Sequence, residues 1–239
     1  MTRAHSLFPD PRLADDYGLV AETDAMTPEL LVDAYSHGIF PWSDDPVRWF
    51  SPDPRAIFLR ERVRLPHKLG KIIRRHGFHV TLDQAFTDVV VACAETHRHE
   101  GEWISSGFVR AYSELHAHGQ AHSVEVWQGD ALVGGLYGVQ LRGLFAGESM
   151  FYRVANASKV AFAALLAQLD AMGTLLMDAQ VINEHTASLG AVLVTRDDYL
   201  YLLEHAMRAD GTHDGKPWSA EPPPFLHRRV TEPGSESGS

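Results

Sequence analysis

Five polar side chains follow an apolar run in the C-terminal third of the chain. Carboxylate, amide and imidazole groups are side chains that bind substrates and move protons in enzymes. The stretch 177–191, MDAQVINEHTASLGA, therefore fits either a catalytic strand end or a polar loop with a helix behind it. Its polar members are Asp178, Gln180, Asn183, Glu184 and His185.

A second carboxylate ends another predicted strand. Glu148, in GESMF, follows an apolar segment and lies between Phe145 and Phe151. A lone carboxylate on a strand is usually exposed. Open mixed sheets, however, gather ligands at strand ends, so Glu148 and Asp178 can share one pocket. In such a pocket each carboxylate would raise the pKa of the other.

Two histidine-rich stretches, ETHRHE and LHAHGQAHS, raise the question of a zinc site. No HExxH motif accompanies them, and both occur at the ends of predicted helices, where cationic or solvated histidines are common. The single cysteine, Cys93, lies on the apolar face of a predicted helix and cannot form a thiolate cluster or an internal disulfide. No GxSxG motif of a serine hydrolase occurs. We therefore predict no metal, and a buried structural thiol at Cys93.

Hydrophobic periodicity predicts an α+β fold from about residue 60 onward. Two helices over 83–97 and 106–118 precede three strands, HSVEVW, ALVGGLYGVQL and GLFAGESMF. A helix over NASKVAFAALLAQLDAMG follows, then the strand TLLMD and a last helix with Thr195 as its N-cap. This order predicts a mixed sheet whose strand ends carry Glu148 and Asp178.

The chain divides into three predicted parts. Residues 1–59 form a small N-terminal domain with a helix over TPELLVDAYSHG and a stiff loop over 38–55, which holds four prolines and four large aromatics. Residues 60–210 form the main sheet domain. Residues 211–239, with EPPPF and TEPGSESGS, form an extended arm and a disordered tail.

Basic residues are concentrated in one segment of an otherwise acidic chain. The formal net charge is −10, which argues against a surface built for duplex DNA. Residues 60–80 nevertheless carry seven cations against one carboxylate, Glu61. A solvated helix face and a phosphate-binding patch explain this segment equally well. The cations are Arg60, Arg62, Arg64, Lys68, Lys71, Arg74 and Arg75.

The sequence shows neither a signal-like start nor an apolar run of about eighteen residues. We therefore expect a soluble, cytoplasmic protein with no membrane partner. No heptad pattern indicates a dimer helix, so we expect a monomer.

The predicted order of elements is that of the acyl-CoA N-acyltransferase sheet, where a glycine-rich turn opening the third helix holds the pyrophosphate. Here that turn is RVANASK, residues 153–159, without glycine. Backbone amides cannot approach a pyrophosphate as closely when every residue carries a Cβ. We predict an acyl-CoA N-acyltransferase-like mixed sheet domain without a coenzyme A site and without a cofactor, plus the small N-terminal domain.

Eight motifs, in order from about residue 20 to about 205, closely resemble those of leucyl/phenylalanyl-tRNA–protein transferases. They are GIFPW, WFSPDPR, EWI, HAHGQAHSVEVW, LVGGLYG, LFAGESMF, NASK and DAQVINEHTASLGA. The resemblance implies a bacterial enzyme that moves leucine or phenylalanine from its tRNA onto proteins with N-terminal arginine or lysine, marking them for regulated proteolysis. It also implies the acyltransferase fold without coenzyme A.

The resemblance assigns roles to the two strand ends. Asp178 and Gln180 match the family's catalytic positions: Asp178 would orient the attacking amine or accept its proton, and Gln180 would bridge to it or polarise the reacting carbonyl. Glu148 and Asn183 match positions in the same pocket, and Glu148 suits a cationic acceptor terminus. Glu184 and His185 are interpreted as solvated or structural.

The resemblance also implies two further parts of the substrate site. An apolar pocket would select the transferred side chain by shape, and aromatic faces would stack on the terminal adenosine of the tRNA, with core packing as the alternative. The basic segment would hold the acceptor stem through its phosphates. The pocket residues are Leu136, Phe145 and Leu169, and the aromatic residues are Trp42, Trp103 and Phe151.

Two other functions compete with this one. A coenzyme A-dependent N-acetyltransferase would suit the order of elements but not the RVANASK turn. A non-catalytic RNA-binding module would explain the basic segment but not the two strand-end carboxylates.

Overall fold

The chain folds into two β-sheets and seven α-helices across the residues that a computed structural model describes, 6–97, 105–211 and 218. The strands are β1 Leu19–Thr23, β2 Phe40–Asp44, β3 Val47–Phe50, β4 Arg55–Phe58, β5 Phe78–Leu82, β6 Ala121–Gln128, β7 Ala131–Leu141, β8 Leu144–Tyr152, β9 Leu176–Gln180 and β10 Ala191–Val194. The helices are α1 Pro28–Ser36, α2 Leu69–His76, α3 Phe86–His97, α4 Ser106–Ala117, α5 Ala157–Met172, α6 Glu184–Leu189 and α7 Arg196–Met207.

The larger sheet has seven strands in the order β10-β4-β9-β8-β7-β6-β5. All neighbours are antiparallel except β8 and β9, which run parallel. Their last paired residues are Ala146 and Asp178, so the two strands separate beyond that point. The parallel pairing directs the ends of β8 and β9 to the same edge of the sheet, which confirms the predicted α+β mixed sheet.

Local sequence signals account for the helix ends. The Thr27 side chain accepts a hydrogen bond from the Leu30 N–H at the start of α1, where Pro28 takes the first helical position. Thr195 caps α7 in the same way, as predicted. Gly173 ends α5 with a φ of +69°, a left-handed conformation that favours glycine.

The prediction of an irregular loop over 38–55 is wrong. This segment forms β2 and β3, which pair as a hairpin within a three-stranded sheet of order β1-β3-β2. Pro41 is tolerated because β2 is an edge strand, and Pro46 lies in the turn between β2 and β3. The prolines occupy only the edge and the turns of this segment, so they do not prevent its strands from pairing.

The large sheet separates two hydrophobic cores. The first lies under α1, α3, α4 and α7 and contains Trp49, Cys93 and Phe108. The second lies under α5 and contains Leu165 and Val126. Cys93 is fully buried, as predicted, and burial raises the pKa of its thiol to about 12.

The division of the chain at residues 59/60 and 210/211 stays a prediction. β4, which precedes residue 60, is a strand of the larger sheet. Trp103 and nearly all of the predicted arm and tail lie outside the described residues. Among the residues that are described, no helix is both long and apolar enough to cross a bilayer.

Candidate active site

Glu148 lies on β8 beyond its last pairing with β9, where three side chains donate hydrogen bonds to its carboxylate. The Tyr35 hydroxyl and the Gln180 amide both donate to Oε1 at 2.6 Å. The Tyr112 hydroxyl donates to Oε2 at 2.9 Å. Burial raises the pKa of Glu148 to about 7, aided by the charge of Asp178, although the three hydrogen bonds oppose the shift. Glu148 can therefore exchange a proton near neutral pH.

Asp178, at the point where β8 and β9 separate, is a saturated hydrogen-bond acceptor. Its Oδ1 accepts from Arg55 Nε at 3.0 Å and from the Gln180 backbone N–H at 2.8 Å. Its Oδ2 accepts from Arg55 Nη2 at 2.6 Å and from the Tyr199 hydroxyl at 2.8 Å. Two carboxylate oxygens offer about four acceptor positions, so these four bonds leave none for an incoming amine.

Gln180 reaches Glu148 because the backbone bends at the end of β9. The ladder to β4 places Gln180 opposite Ala56 and Asp178 opposite Ile57, so β9 carries one extra residue in a β-bulge. Gln180 adopts a φ of +60°, which costs a non-glycine residue roughly 1–2 kcal/mol. The hydrogen bond from its backbone N–H to Asp178 offsets part of that cost.

Sequence reasoning missed the residues that hold the two carboxylates. Tyr35 and Tyr112 lie on apolar helix faces and look like ordinary core residues, although burial raises the pKa of both phenols well above the usual value. Arg55 and Tyr199 flank Asp178 from β4 and α7. One sequence signal for a buried partner of Asp178 is Arg55, a charged residue at the start of the otherwise apolar strand RAIF.

The assembled group can receive and place a protonated amine. Asp178 is fixed by its four donors, and burial raises the pKa of Glu148 to about 7. Chemistry of this kind suits the transfer of a group to an amine, which must lose a proton as it reacts.

Comparison with known proteins identifies the family. The family model described as leucyl/phenylalanyl-tRNA protein transferase matches residues 57–204, and the model of that family's N-terminal domain matches residues 24–53. The chain belongs to the leucyl/phenylalanyl-tRNA protein transferase family. This confirms the resemblance drawn from the motifs and makes the protein an aminoacyltransferase; a coenzyme A-dependent acetyltransferase is not supported.

Individual relatives agree. The leucyl/phenylalanyl-tRNA–protein transferase of Shewanella sp. (strain ANA-3) is 49% identical over 201 residues, which cover 82% of this chain and 85% of the relative. Those of Shewanella baltica (strain OS223) and Shewanella oneidensis are each 48% identical over the same length and the same shares of each chain.

The residues matched to the transferase pocket lie on the other face of the sheet from Tyr112. Leu136, Phe145 and Leu169 are all buried in the second core, under α5. Trp218, from beyond the end of α7, packs against this group with its ring 5.8 Å from that of Phe145. The three predicted pocket residues thus form one apolar cluster behind the strand that carries Glu148.

The residues matched to adenosine stacking differ in exposure. Trp42 is 41% exposed on the edge strand β2, with its ring held by Phe40 at 5.8 Å and by Phe50 at 5.3 Å. Phe151 is fully buried in the first core and presents no face to solvent. The Asn183 side chain accepts from the Thr186 N–H and caps α6, so its amide oxygen is already engaged.

All seven cations of the basic segment are exposed on the described surface. Three of them, Lys71, Arg74 and Arg75, belong to α2, whose opposite side packs Ile72 and Ile73 against the second core. Arg60 differs from the rest, because its guanidinium also donates to the Leu166 carbonyl and contacts Asp170. The remaining charges face solvent, where phosphates can reach them.

One group of described residues has the composition of a metal site: Asp83, His116 and His122. Their facing atoms are already used in hydrogen bonds, since His116 Nδ1 contacts the Ala121 carbonyl and His122 Nδ1 contacts Asp83, both at 2.7 Å. Asp83 also accepts from the Trp218 N–H at 2.9 Å. The group anchors Trp218 in this structure, and the absence of a metal stays a prediction.

Proposed function

We propose that this chain transfers leucine or phenylalanine from aminoacyl-tRNA to proteins with N-terminal arginine or lysine, acting as a monomer. The observation that carries the proposal is the junction of Glu148, Gln180 and Asp178 where β8 and β9 separate. Membership of the transferase family supports the reaction class, and the resemblance of the motifs supplies arginine and lysine as the acceptor residues.

The reaction is aminolysis of an ester. The acceptor's α-amino nitrogen attacks the carbonyl carbon of the aminoacyl group, an amide bond forms, and the ester bond to the tRNA ribose oxygen breaks. The amine gives up a proton and the ribose oxygen gains one. An α-amino group has a reference pKa near 7.7–8, so a carboxylate with a pKa near 7 is matched to accept its proton.

In this mechanism the three strand-end residues have separate tasks. Glu148 binds the acceptor's ammonium and takes its proton. Gln180 donates one hydrogen bond to Glu148. Its amide oxygen can then orient the amine, or its remaining N–H can polarise the reacting carbonyl. Asp178, whose acceptor positions are filled, positions Gln180 rather than serving as the base.

Substrate binding is assigned to surfaces outside this junction. Trp42 is the exposed aromatic face for the terminal adenosine, and a stacked base contributes roughly 1–3 kcal/mol. The match to the family assigns the leucine or phenylalanine side chain to the apolar cluster under α5, which would discriminate by shape. Because this cluster is packed core in the structure, the side chain can enter only if the cluster opens. The exposed cations of 60–80 contact phosphates of the acceptor stem without reading its sequence.

A single assay tests the function. The protein is mixed with charged leucyl-tRNA and a peptide that begins with arginine, and the product is examined by mass spectrometry for one added leucine. Transfer that requires acetyl-CoA instead would support an acetyltransferase, and tRNA binding without transfer would support an RNA-binding module. A matched peptide with N-terminal glutamate controls for the charge of the acceptor.

Replacing Arg74 and Arg75 together by alanine is expected to raise the KM for charged tRNA and to flatten its salt dependence. Each lost phosphate contact reduces the slope of log affinity against log salt by about 0.7–0.9. The matched control is Arg12→Ala with Arg208→Ala, which removes two exposed charges away from α2. An unchanged salt slope in the Arg74/Arg75 variant would remove α2 from the tRNA surface.

A further inference from the structure

Arg55 is a fully buried cation whose nitrogens all have partners. Its side chain is 1% exposed. Nε and Nη2 donate to the two oxygens of Asp178 at 3.0 and 2.6 Å, and Nη1 donates to the Gly38 carbonyl at 3.0 Å. Burial alone would lower the pKa of Arg55, but the adjacent Asp178 raises it above the usual value, so the guanidinium stays charged.

The guanidinium also connects the two sheets through aromatic rings. It lies over Phe40 at 4.7 Å and over Tyr199 at 4.4 Å from the ring centroids. Phe40 in turn contacts the exposed Trp42, with 5.8 Å between their ring centroids. One side chain therefore touches both the strand end that carries Asp178 and the strand that carries Trp42.

Stability alone does not explain an arginine at this position. A buried ion pair is often matched or exceeded in stability by apolar residues of similar volume. What the planar guanidinium adds is geometry, because two parallel hydrogen bonds fix the rotation and the distance of the carboxylate plane. Lysine offers a point charge and cannot reproduce both bonds.

We infer that Arg55 is a positioning residue for the transfer reaction. It fixes the Asp178 carboxylate, which holds the Gln180 backbone N–H and so keeps Gln180 directed at Glu148. Through Gly38 and Phe40, the same guanidinium fixes the strand beneath Trp42. The inference rests on the proposed function, because it takes Gln180 and Trp42 as groups that meet the end of the charged tRNA.

The test is Arg55→Lys, which keeps a cation opposite Asp178. The kcat is expected to fall by at least about 30-fold, because misplacement of Gln180 acts on turnover. The KM for charged tRNA is expected to change by less than about fivefold, because Phe50 still holds the Trp42 ring. Arg196→Lys is the matched control: Arg196 is partly buried and donates to the Ser51 carbonyl, away from Asp178. Equal losses in the two variants would overturn the inference.

A coupling measurement separates positioning from a general structural role. In an Asp178→Asn background, Arg55→Lys is expected to lower kcat by no more than about threefold further, because residues that act as one unit are not additive. If Arg55→Lys lowers kcat by the same factor in both backgrounds, Arg55 acts independently of Asp178. Tyr199→Phe, which removes one donor to Asp178, is expected to give a smaller loss, about fivefold, and serves if Arg55→Lys does not fold.

Hydrogen exchange tests the inference without any transfer. The Gln180 amide is expected to exchange at least about tenfold faster in Arg55→Lys, while amides of β7 keep their protection. Unchanged exchange at Gln180 would overturn the positioning role. The wild-type protein could show no transfer while the Gln180 amide still exchanges faster in Arg55→Lys. In that case the proposed function is wrong, and the positioning of Gln180 by Arg55 is retained.

Discussion

Replacing Asp178 by alanine is expected to lower kcat at least about 100-fold, with charged-tRNA affinity almost unchanged. The carboxylate holds the backbone of Gln180, and without it Gln180 is free to leave its left-handed conformation. The substitution also leaves Arg55 as a buried charge without its anion, which costs about 3–5 kcal/mol of unfolding free energy.

Three measurements separate these effects. Single-turnover transfer reports the reaction, filter binding reports tRNA affinity, and urea denaturation reports stability. Asp197→Ala is the control, because Asp197 is an exposed carboxylate that pairs only with Arg12 among the ion pairs of the described residues. An equal loss of tRNA binding and turnover in Asp178→Ala would make Asp178 a purely structural residue.

A Glu148→Gln variant is expected to lose about 100-fold or more in kcat, within the usual range for removal of a general base. Glutamine keeps the size of the side chain, but only one of its two terminal atoms is an oxygen. It can therefore accept from Tyr35 or from Tyr112 in this geometry, and it takes no proton and attracts no ammonium. In the wild-type enzyme, kcat/KM should rise with pH through about 7 as Glu148 ionises. In Glu148→Gln the rise of kcat/KM near pH 7 should disappear, and only the rise due to ionisation of the acceptor amine should remain.

The raised pKa of Glu148 also makes the stability of the protein depend on pH. The folded-state pKa of Glu148 is raised from about 4.5 to about 7, so the fold favours the protonated form. That contribution is fully present below pH 4.5 and is lost as the pH rises through 7, which amounts to at most about 3 kcal/mol. The unfolding free energy of wild type should therefore fall more than that of Glu148→Gln between pH 5 and pH 8.

Glu95→Gln is the control for both Glu148 measurements, because Glu95 is a half-exposed carboxylate that pairs with Arg153. It should leave the pH profile of kcat/KM and the pH dependence of stability unchanged. A Glu148→Gln profile that keeps the step near 7 would assign that ionisation to another group.

Local patterns determined most of the elements that carry the site. The periodicity of α3 and α4, the caps at Thr27 and Thr195, and the apolar runs of β6 to β8 reflect interactions within short stretches of the chain. Such interactions can be read from sequence because they depend on the order of neighbouring side chains. The motifs likewise sufficed to identify the family.

The hairpin of β2 and β3 was not predictable by the same reasoning. A proline disrupts a strand only if its nitrogen faces a paired neighbour. Whether Pro41 does so depends on which strands lie on each side of β2, and that is a property of the assembled sheet.

Sequence alone predicted one site for Asp178, Gln180 and Glu148, but only the tertiary structure decided which partners each of them has. Arg55 and Asp178 are 123 positions apart in the chain, and Tyr35 and Glu148 are 113 apart. Contacts over such separations depend on how helices and strands pack, which leaves no periodic trace in the sequence. Packing filled every acceptor position of Asp178, and for this reason we assign the proton to Glu148.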